Sequence, residues 1–401
     1  MTVHSGLFTR DERAASVYQY LPVEVPAGAV SLEVVLAYDS AAGVIDLGCV
    51  GPGGFRGWSG GARDRFVIAP DAATPGYLPG PLEPGIWQVA LGLHRVGPAG
   101  VSYEVTARTG ALRPDPLPAA PGVPARPARR DLPAPPGLRW LAGDCHAHTV
   151  HSDGSQTIEQ LAAAAVEQGL DFLAVTDHNT VSHHRFLAEV GARYGIILLP
   201  GQEVTTDTGH ANAFGYLDWI DFRRPAQDWV AEVERRGGLL SINHPLAGDC
   251  AWRQPLTRHP ALAEVWHWTW LDPRWGGPIA WWQAWGLETI PVGGSDFHAP
   301  EQGRPVGTPT TWVLAEEDSV DGVLAAMRAG RTAVSAGRGA PVLLRSAGEL
   351  RAIDADGTLL VGPDGRRSPV RGDSVTFPAA AGPYRLDNHE GGIVAIGGPG
   401  D

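Results

Sequence analysis

The chain has 401 residues, a formal net charge of −13 and a pI near 5.5. All 31 basic residues are arginine. The acidic balance argues against nucleic acid as an obligate partner, and the lack of lysine excludes Schiff-base chemistry and a lysine point charge for phosphate. Cys49, Cys145 and Cys250 are too scattered for a disulfide framework. No apolar run of about 20 residues and no signal-peptide pattern is present, so the expectation is a cytoplasmic protein without a membrane partner and with roughly two or three domains.

Residues 1–110 show strand-like runs separated by Gly/Pro/Asp turns, among them Val17–Val23, Val30–Ala37, Val44–Val50, Phe66–Ile68, Trp87–Leu93 and Val101–Ala107. This spacing predicts an all-β, sandwich-like domain. Phe55–Gly61 and Thr74–Gly80 read as Gly/Pro-rich loops with aromatic anchors, able to reach a neighbouring site. Residues 111–137 hold nine prolines and read as an extended linker. From 138 to 337, strand-length apolar runs alternate with helical patterns. Thr157–Gln168 places Ile158, Leu161, Ala162, Ala165 and Val166 on one face, and Gly169 stops it. His184–Tyr194, Trp229–Arg236, Pro278–Trp285 and Val320–Ala329 are further helices. Such alternation implies parallel pairing, and about seven units predict closure into an α/β barrel. Residues 338–401 return to short strands and read as a small C-terminal β-region.

The chemistry lies in five segments. They are Cys145-His146-Ala147-His148 with Asp153, Thr176-Asp177-His178-Asn179, Gly201-Gln202-Glu203 with His210, Asn243-His244-Pro245, and Gly294-Ser295-Asp296-Phe297-His298. Each falls at or just past the end of a predicted strand. Residues i and i+2 of a strand share a face, so His146/His148 and Asp296/His298 read as chelating pairs. Any one of the 14 histidines is weak evidence; clustered His, Asp and Glu at strand ends is a metal or catalytic signature. Imidazole and carboxylate donors suit Mn, Zn or Fe. Cys145 alternates to the opposite face and reads as a buried, inert thiol.

These motifs resemble those of the PHP (polymerase and histidinol phosphatase) superfamily over about residues 140–335, and the flanking arrangement is similar to its CehA/McbA-type branch. The resemblance implies a distorted (β/α)7 barrel with two or three divalent metal ions. Carried over, His146, His148, Glu203 and Asp296 hold one ion, and Asp153, His178 and His298 a second. Glu203, His210 and His244 hold a third, with Glu203 bridging. Glu203, Asp296 and His298 are the expected catalytic residues. A metal-bridging hydroxide is the expected nucleophile, and no Gly-x-Ser-x-Gly elbow is present.

Asp177 suits either a histidine-orienting role or a strand-end cap, and Asn179 and Asn243 suit orienting roles or tight turns. Eight tryptophans fall between 252 and 285. Trp266, Trp268, Trp281, Trp282 and Trp285 read mainly as packing, while Trp270, Trp275 and Trp252 are pocket candidates. His267 reads as a substrate contact rather than a ligand. Arg304 is the first candidate for a phosphate fork, with Arg253 and Arg185 as alternatives. His183 and His184 are placed to act as a general acid or to start a helix. The expected function is phosphoester hydrolysis of a small molecule. The alternative is hydrolysis of a carbamate, amide or carboxyl ester on the same metals, and a non-enzymatic binding module is a third reading.

Overall fold

The computed structural model describes residues 1–270, 272–286, 288–346 and 348–398; the last three positions of the expected C-terminal region lie outside these. The described chain divides into two compact units. The first comprises Met1–Ala119, Thr149–Thr157 and Asp177–Arg185; the second comprises Ala120–His148, Ile158–Thr176 and Phe186 onward.

The first unit holds two four-stranded antiparallel sheets. One is ordered Thr2–Phe8, Val101–Thr109, Leu32–Tyr38, Arg65–Ile68; the other is ordered Tyr18–Val25, Gly85–Val96, Gly43–Gly51, Gly54–Gly60. Alternating residues of both face one core, including Val34, Leu36 and Phe66 from the first and Ile45, Leu47 and Trp87 from the second. Trp87 is fully buried, which contributes on the order of 2–3 kcal/mol.

Two elements differ from the sequence reading. Gly54–Gly60 is a strand, not a loop. Its glycine-rich partner strand makes room for Trp58: a Cβ on Gly48 would lie 2.3 Å from that ring. Composition that reads as loop is here a packing requirement. Arg10–Ala15 is a short helix started by a Thr9/Glu12 capping box. It buries no residue, so it leaves no apolar period to detect.

Glu33 is buried in this unit, and its carboxylate accepts from Arg65 Nε at 2.9 Å and from Arg108 Nε. The Arg108 hydrogen bond first, against burial, and then Arg65 hold its carboxyl below the usual range. A depressed folded pKa adds stability above the unfolded value near 4.5, lost as pH falls through the folded value. Glu33→Gln therefore lowers unfolding stability by about 1–2 kcal/mol at pH 7. Urea unfolding at pH 7 and below pH 4 tests this; a deficit that persists undiminished in acid would refute it.

The second unit is built on one 13-stranded sheet. Its first nine strands run in the order Ile290–Gly294, Leu262–His267, Leu239–Ile242, Gly209–Phe214, Ile197–Thr206, Phe172–Val175, Arg139–Asp144, Thr310–Ala315 and Thr332–Ser335. Four neighbouring pairs are parallel: 139–144 with 172–175, 172–175 with 197–206, 239–242 with 262–267, and 262–267 with 290–294. The pairing is not parallel throughout. Asp207 and Thr208 close a tight turn, so Gly209–Phe214 folds back antiparallel on Ile197–Thr206 and then pairs antiparallel with Leu239–Ile242. The helices Ile158–Glu167, His184–Tyr194, Ala226–Arg235, Gly277–Trp285 and Val320–Arg328 lie close to where periodicity places them.

The C-terminal β-region is not one separate body. Ile393–Gly397 pairs with Thr332–Ser335, and Tyr384–Asp387, Leu359–Val361 and Arg367–Pro369 extend the large sheet. Val342–Ser346, Glu349–Ile353 and Ser374–Pro378 form a three-stranded sheet. The proline-rich stretch also differs from a free linker. It has no regular structure from 120 to 135, yet Tyr194 Oη donates to Pro121 O at 2.5 Å and Trp140 Nε1 to Pro133 O at 3.1 Å. Arg130 Nη1 donates to Arg338 O and Ala340 O at 2.9 and 2.7 Å, and Leu132 is buried in the core.

Candidate metal centre

In the second unit, ligand-type side chains gather at the C-terminal ends of successive strands. The strand Arg139–Asp144 ends before His146 and His148, and Ile290–Gly294 ends before Asp296 and His298. Both pairs therefore lie beyond regular strand, where a bridge between Ala147 and Phe297 holds the two extensions side by side. Asp144 ties this end together. Its Oδ1 accepts from His146 N at 3.1 Å and Ser295 N at 3.0 Å, and its Oδ2 from Gly307 N at 2.7 Å. Burial pushes the Asp144 carboxyl up to about 6 against these hydrogen bonds.

His146, His148, Glu203 and Asp296 form one group whose donor atoms all lie within 4.8 Å of each other. His146 Nε2 is 3.2 Å from both Glu203 Oε1 and Asp296 Oδ1, and His148 Nε2 is 2.9 Å from Asp296 Oδ1 and 3.5 Å from Glu203 Oε2. Ligand bonds of about 2.0–2.2 Å place neighbouring donors roughly 2.9–3.5 Å apart around one ion. His146 Nε2 is buried and has no hydrogen-bond partner among the described residues. A buried nitrogen left without a hydrogen bond yet flanked by two carboxylate oxygens fits a metal better than a proton network. Donor chemistry and spacing thus both fit a divalent ion.

Glu203 sits at the centre. Its Oε1 is 3.1 Å from His210 Nδ1 and 3.3 Å from His244 Nε2, and it accepts from Asn243 Nδ2 at 2.8 Å. The hairpin explains His210: it pairs with Thr205, two residues from Glu203 on the same face. Asn243 therefore orients the central carboxylate. His298 stacks on His148 with ring centroids 4.1 Å apart, and its Nδ1 is 2.7 Å from Asp296 O.

Backbone conformation supports a functional role. Asp296 has φ 47° and His244 φ 27°, both uncommon for residues other than glycine. Each is held in place: Glu264 Oε2 accepts from His244 N at 2.8 Å, and Gln302 Nε2 donates to Asp296 O at 3.1 Å.

The electrostatics follow from burying opposite charges together. Burial opposes ionisation of Asp296, but His146 and His148 hold its carboxyl well below the usual range. Burial likewise disfavours charge on His146, yet Asp296, Glu203 and Glu264 raise its pKa well above the ordinary value. For His267 burial prevails, and its pKa is lowered.

Glu264 escapes sequence reasoning, and His267, read as a substrate contact, also stands beside the cluster. Glu264 Oε1 is 3.0 Å from His146 Nδ1, so one carboxylate holds both an imidazole and the His244 backbone. His267 Nε2 is 3.2 Å from Asp296 Oδ2. In a regular strand Glu264 and His267 would face opposite ways. A bulge between Glu264 and Trp266 inserts one residue and turns both toward the cluster. The available signal was Glu264 itself, a carboxylate inside an otherwise apolar strand. Trp268, read as packing, brings Nε1 within 3.4 Å of Asp296 Oδ2. Cys250 Sγ is 3.4 Å from His244 Nδ1. Cys145 is buried among Leu141, Phe172 and Leu199, and burial pushes its thiol well above the ordinary value.

Asp153 and His178 lie in the first unit, with Asp153 Oδ1 3.6 Å from His178 Nε2. Their loops are built around Asp177. It accepts from Thr149 N at 2.8 Å and from the hydroxyls of Thr149 and Ser152, both at 2.7 Å, and stands 3.3 Å from His183 Nδ1. His183 is thus buried beside a carboxylate rather than on the surface. Arg63 Nη1 donates to Ser152 O at 2.8 Å, and Gly76 N donates to Ser182 Oγ at 3.0 Å. Gly76 has φ 99°, and a Cβ there would lie 2.9 Å from His151 O, so this turn requires glycine.

Of the substrate candidates, Trp270 is buried, packs on Trp266 at 5.1 Å and lines a cavity with His244 and His267. Arg304 is half-buried just after the short 3-10 turn Pro300–Gln302, and it is not among the residues lining that cavity.

Residues 144–243 match the model of the PHP domain. The phosphoribosyl 1,2-cyclic phosphate 1,2-diphosphodiesterase of Eggerthella lenta is 39% identical over 62 residues, 16% of this chain and 24% of that protein. The 5'-3' exoribonuclease Rnm of Salmonella typhimurium is 42% identical over 99 residues, 23% of this chain and 33% of that protein. The similarity thus spans a quarter to a third of these relatives. Among solved structures, a two-domain protein from Bacteroides vulgatus containing a predicted PHP-like metal-dependent phosphoesterase aligns with TM-score 0.42 and 19% identity, covering 68% of this chain and 91% of that one.

Proposed function

We propose that this protein is a metal-dependent phosphoesterase acting on a small molecule. The observation that carries the reading is the cluster around Glu203, where imidazole and carboxylate donors stand at the spacings expected around divalent ions. The cluster begins in the segment matched by the PHP domain, and curated relatives of that segment are a phosphodiesterase and an exoribonuclease. When bound, divalent ions supply Lewis acidity and an activated water. We assign His146, His148, Glu203 and Asp296 to one ion, and His210 and His244 with Glu203 to another. Asp153, His178 and His298 join the set on their place in the motif, which makes the site two- or three-metal. The distorted (β/α)7 arrangement belongs to the same proposal.

The chain's own residues do the positioning. Glu203 stands between the imidazoles of His146, His210 and His244, so one carboxylate aligns both halves of the cluster. Asn243 fixes the orientation of that carboxylate, and Glu264 fixes the ring of His146. Hydrolysis of a carbamate or carboxyl ester would use the same groups. The test is metal content by plasma mass spectrometry, with turnover of nitrophenyl phosphate mono- and diesters beside a nitrophenyl carbamate and acetate in added manganese. Two or three ions per chain with phosphoester turnover is the expected result. Turnover of the carbamate or acetate alone would overturn the phosphoester reading.

A further inference from the structure

A cavity of about 90 Å³ in the second unit lies against the cluster. Its inner wall is His244, Glu264 and His267. These side chains contact Glu203, His146 and Asp296 respectively. The opposite walls are apolar: Trp270, Trp275, Leu246 and Ala247 with Val265 and Pro278. Leu246 and Trp275 are among the few large apolar side chains the unit exposes, at 38% and 54%, and both stand on this cavity. Exposed apolar groups gathered at a concave mouth mark a ligand site rather than ordinary surface.

The polar groups of the lining are already committed. Both oxygens of Glu264 accept hydrogen bonds, from His146 and from His244 N. His267 faces Thr269 Oγ1 at 2.8 Å on one side and Asp296 on the other. His244 faces Glu203 and Cys250, and Trp270 Nε1 donates to Trp275 O at 2.9 Å. No arginine lines the cavity among the described residues. The lining side chains that could pair with an occupant are already engaged in the cluster and no guanidinium is among them, so a polar ring edge would lose its water with little replacement. The volume is that of about three waters, the scale of one six-membered ring.

We propose that this cavity is a substrate subsite for a planar, apolar aromatic ring, which makes the substrate an aryl phosphoester with its ring on Trp270 and Trp275. The inference rests on the phosphoesterase reading for the identity of the group beside the ring. The test uses the manganese-loaded full chain and two non-hydrolysable probes, phenylphosphonate and methylphosphonate, titrated by calorimetry. Phenylphosphonate is expected to bind at least about tenfold more tightly. Trp275→Ala, which removes the mouth of the cavity, and Ala247→Leu, which fills it, should each bring the two affinities to within about threefold. A wild-type ratio near one, including no binding of either probe, would overturn the subsite. So would a ratio kept by both variants. Phenyl phosphate hydrolysis measured in parallel separates the two readings. A retained affinity ratio without hydrolysis removes the phosphoesterase reading and keeps the subsite, whereas hydrolysis with a ratio near one does the reverse.

Discussion

Asp296→Ala gives a folded protein whose phosphoester turnover falls at least about a thousandfold, beyond the 10–100-fold loss typical of groups that only support a ligand. Asp296 Oδ1 lies within 3.2 Å of two imidazole nitrogens, those of His146 and His148, and its Oδ2 is 3.2 Å from a third, on His267. Removing it takes away the carboxylate facing His267 and the nearer one facing His148, and leaves Glu203 as the one carboxylate beside His146 Nε2, so bound cations lose half of their balancing charge there. Asp296→Asn keeps the shape without the charge and should lose nearly as much, which separates charge from packing. Bound metal should fall in parallel with turnover, while far-ultraviolet circular dichroism stays that of the wild type. Wild-type turnover in either variant would remove Asp296 from the site.

Legibility in the sequence followed local pattern. Helices such as Ile158–Glu167 show because one face is buried and the other solvated, which writes a 3.6-residue period. The strands Thr310–Ala315 and Thr332–Ser335 do not show, although they continue the sheet beside Arg139–Asp144. Every residue in both is buried, so neither face leaves an alternation to read. His146 and His148 announce themselves by spacing and by their neighbours in the motif. Glu264 and His267 sit at spacing i+3 in a strand, which reads as opposite faces, and only the bulge reconciles them. Asp144, whose oxygens tie three backbone amides, carries no sequence signal of that role because two of its partners are 151 and 163 residues away. Contacts that depend on chain reversal or distant partners leave no local trace.

Glu264→Gln weakens metal binding by about 10–100-fold, while turnover returns close to the wild-type rate once manganese is saturating. The carboxylate has two acceptor oxygens and both are used. One takes the His146 ring nitrogen and so keeps that residue's other nitrogen turned toward Glu203 and Asp296; the second takes the His244 amide at a backbone with φ 27°. An amide offers one acceptor and one donor group, so one of these two N–H groups must face another donor. The consequence falls on the free energy of assembling the ligands, not on a proton transferred during reaction. Titration of turnover against manganese distinguishes the cases. A shifted midpoint with a recovered plateau identifies a positioning residue. A plateau that stays low at saturating manganese would make Glu264 a participant in the chemical step. An unchanged midpoint and plateau would show that the strained His244 backbone and the His146 ring are held by the rest of the cluster alone.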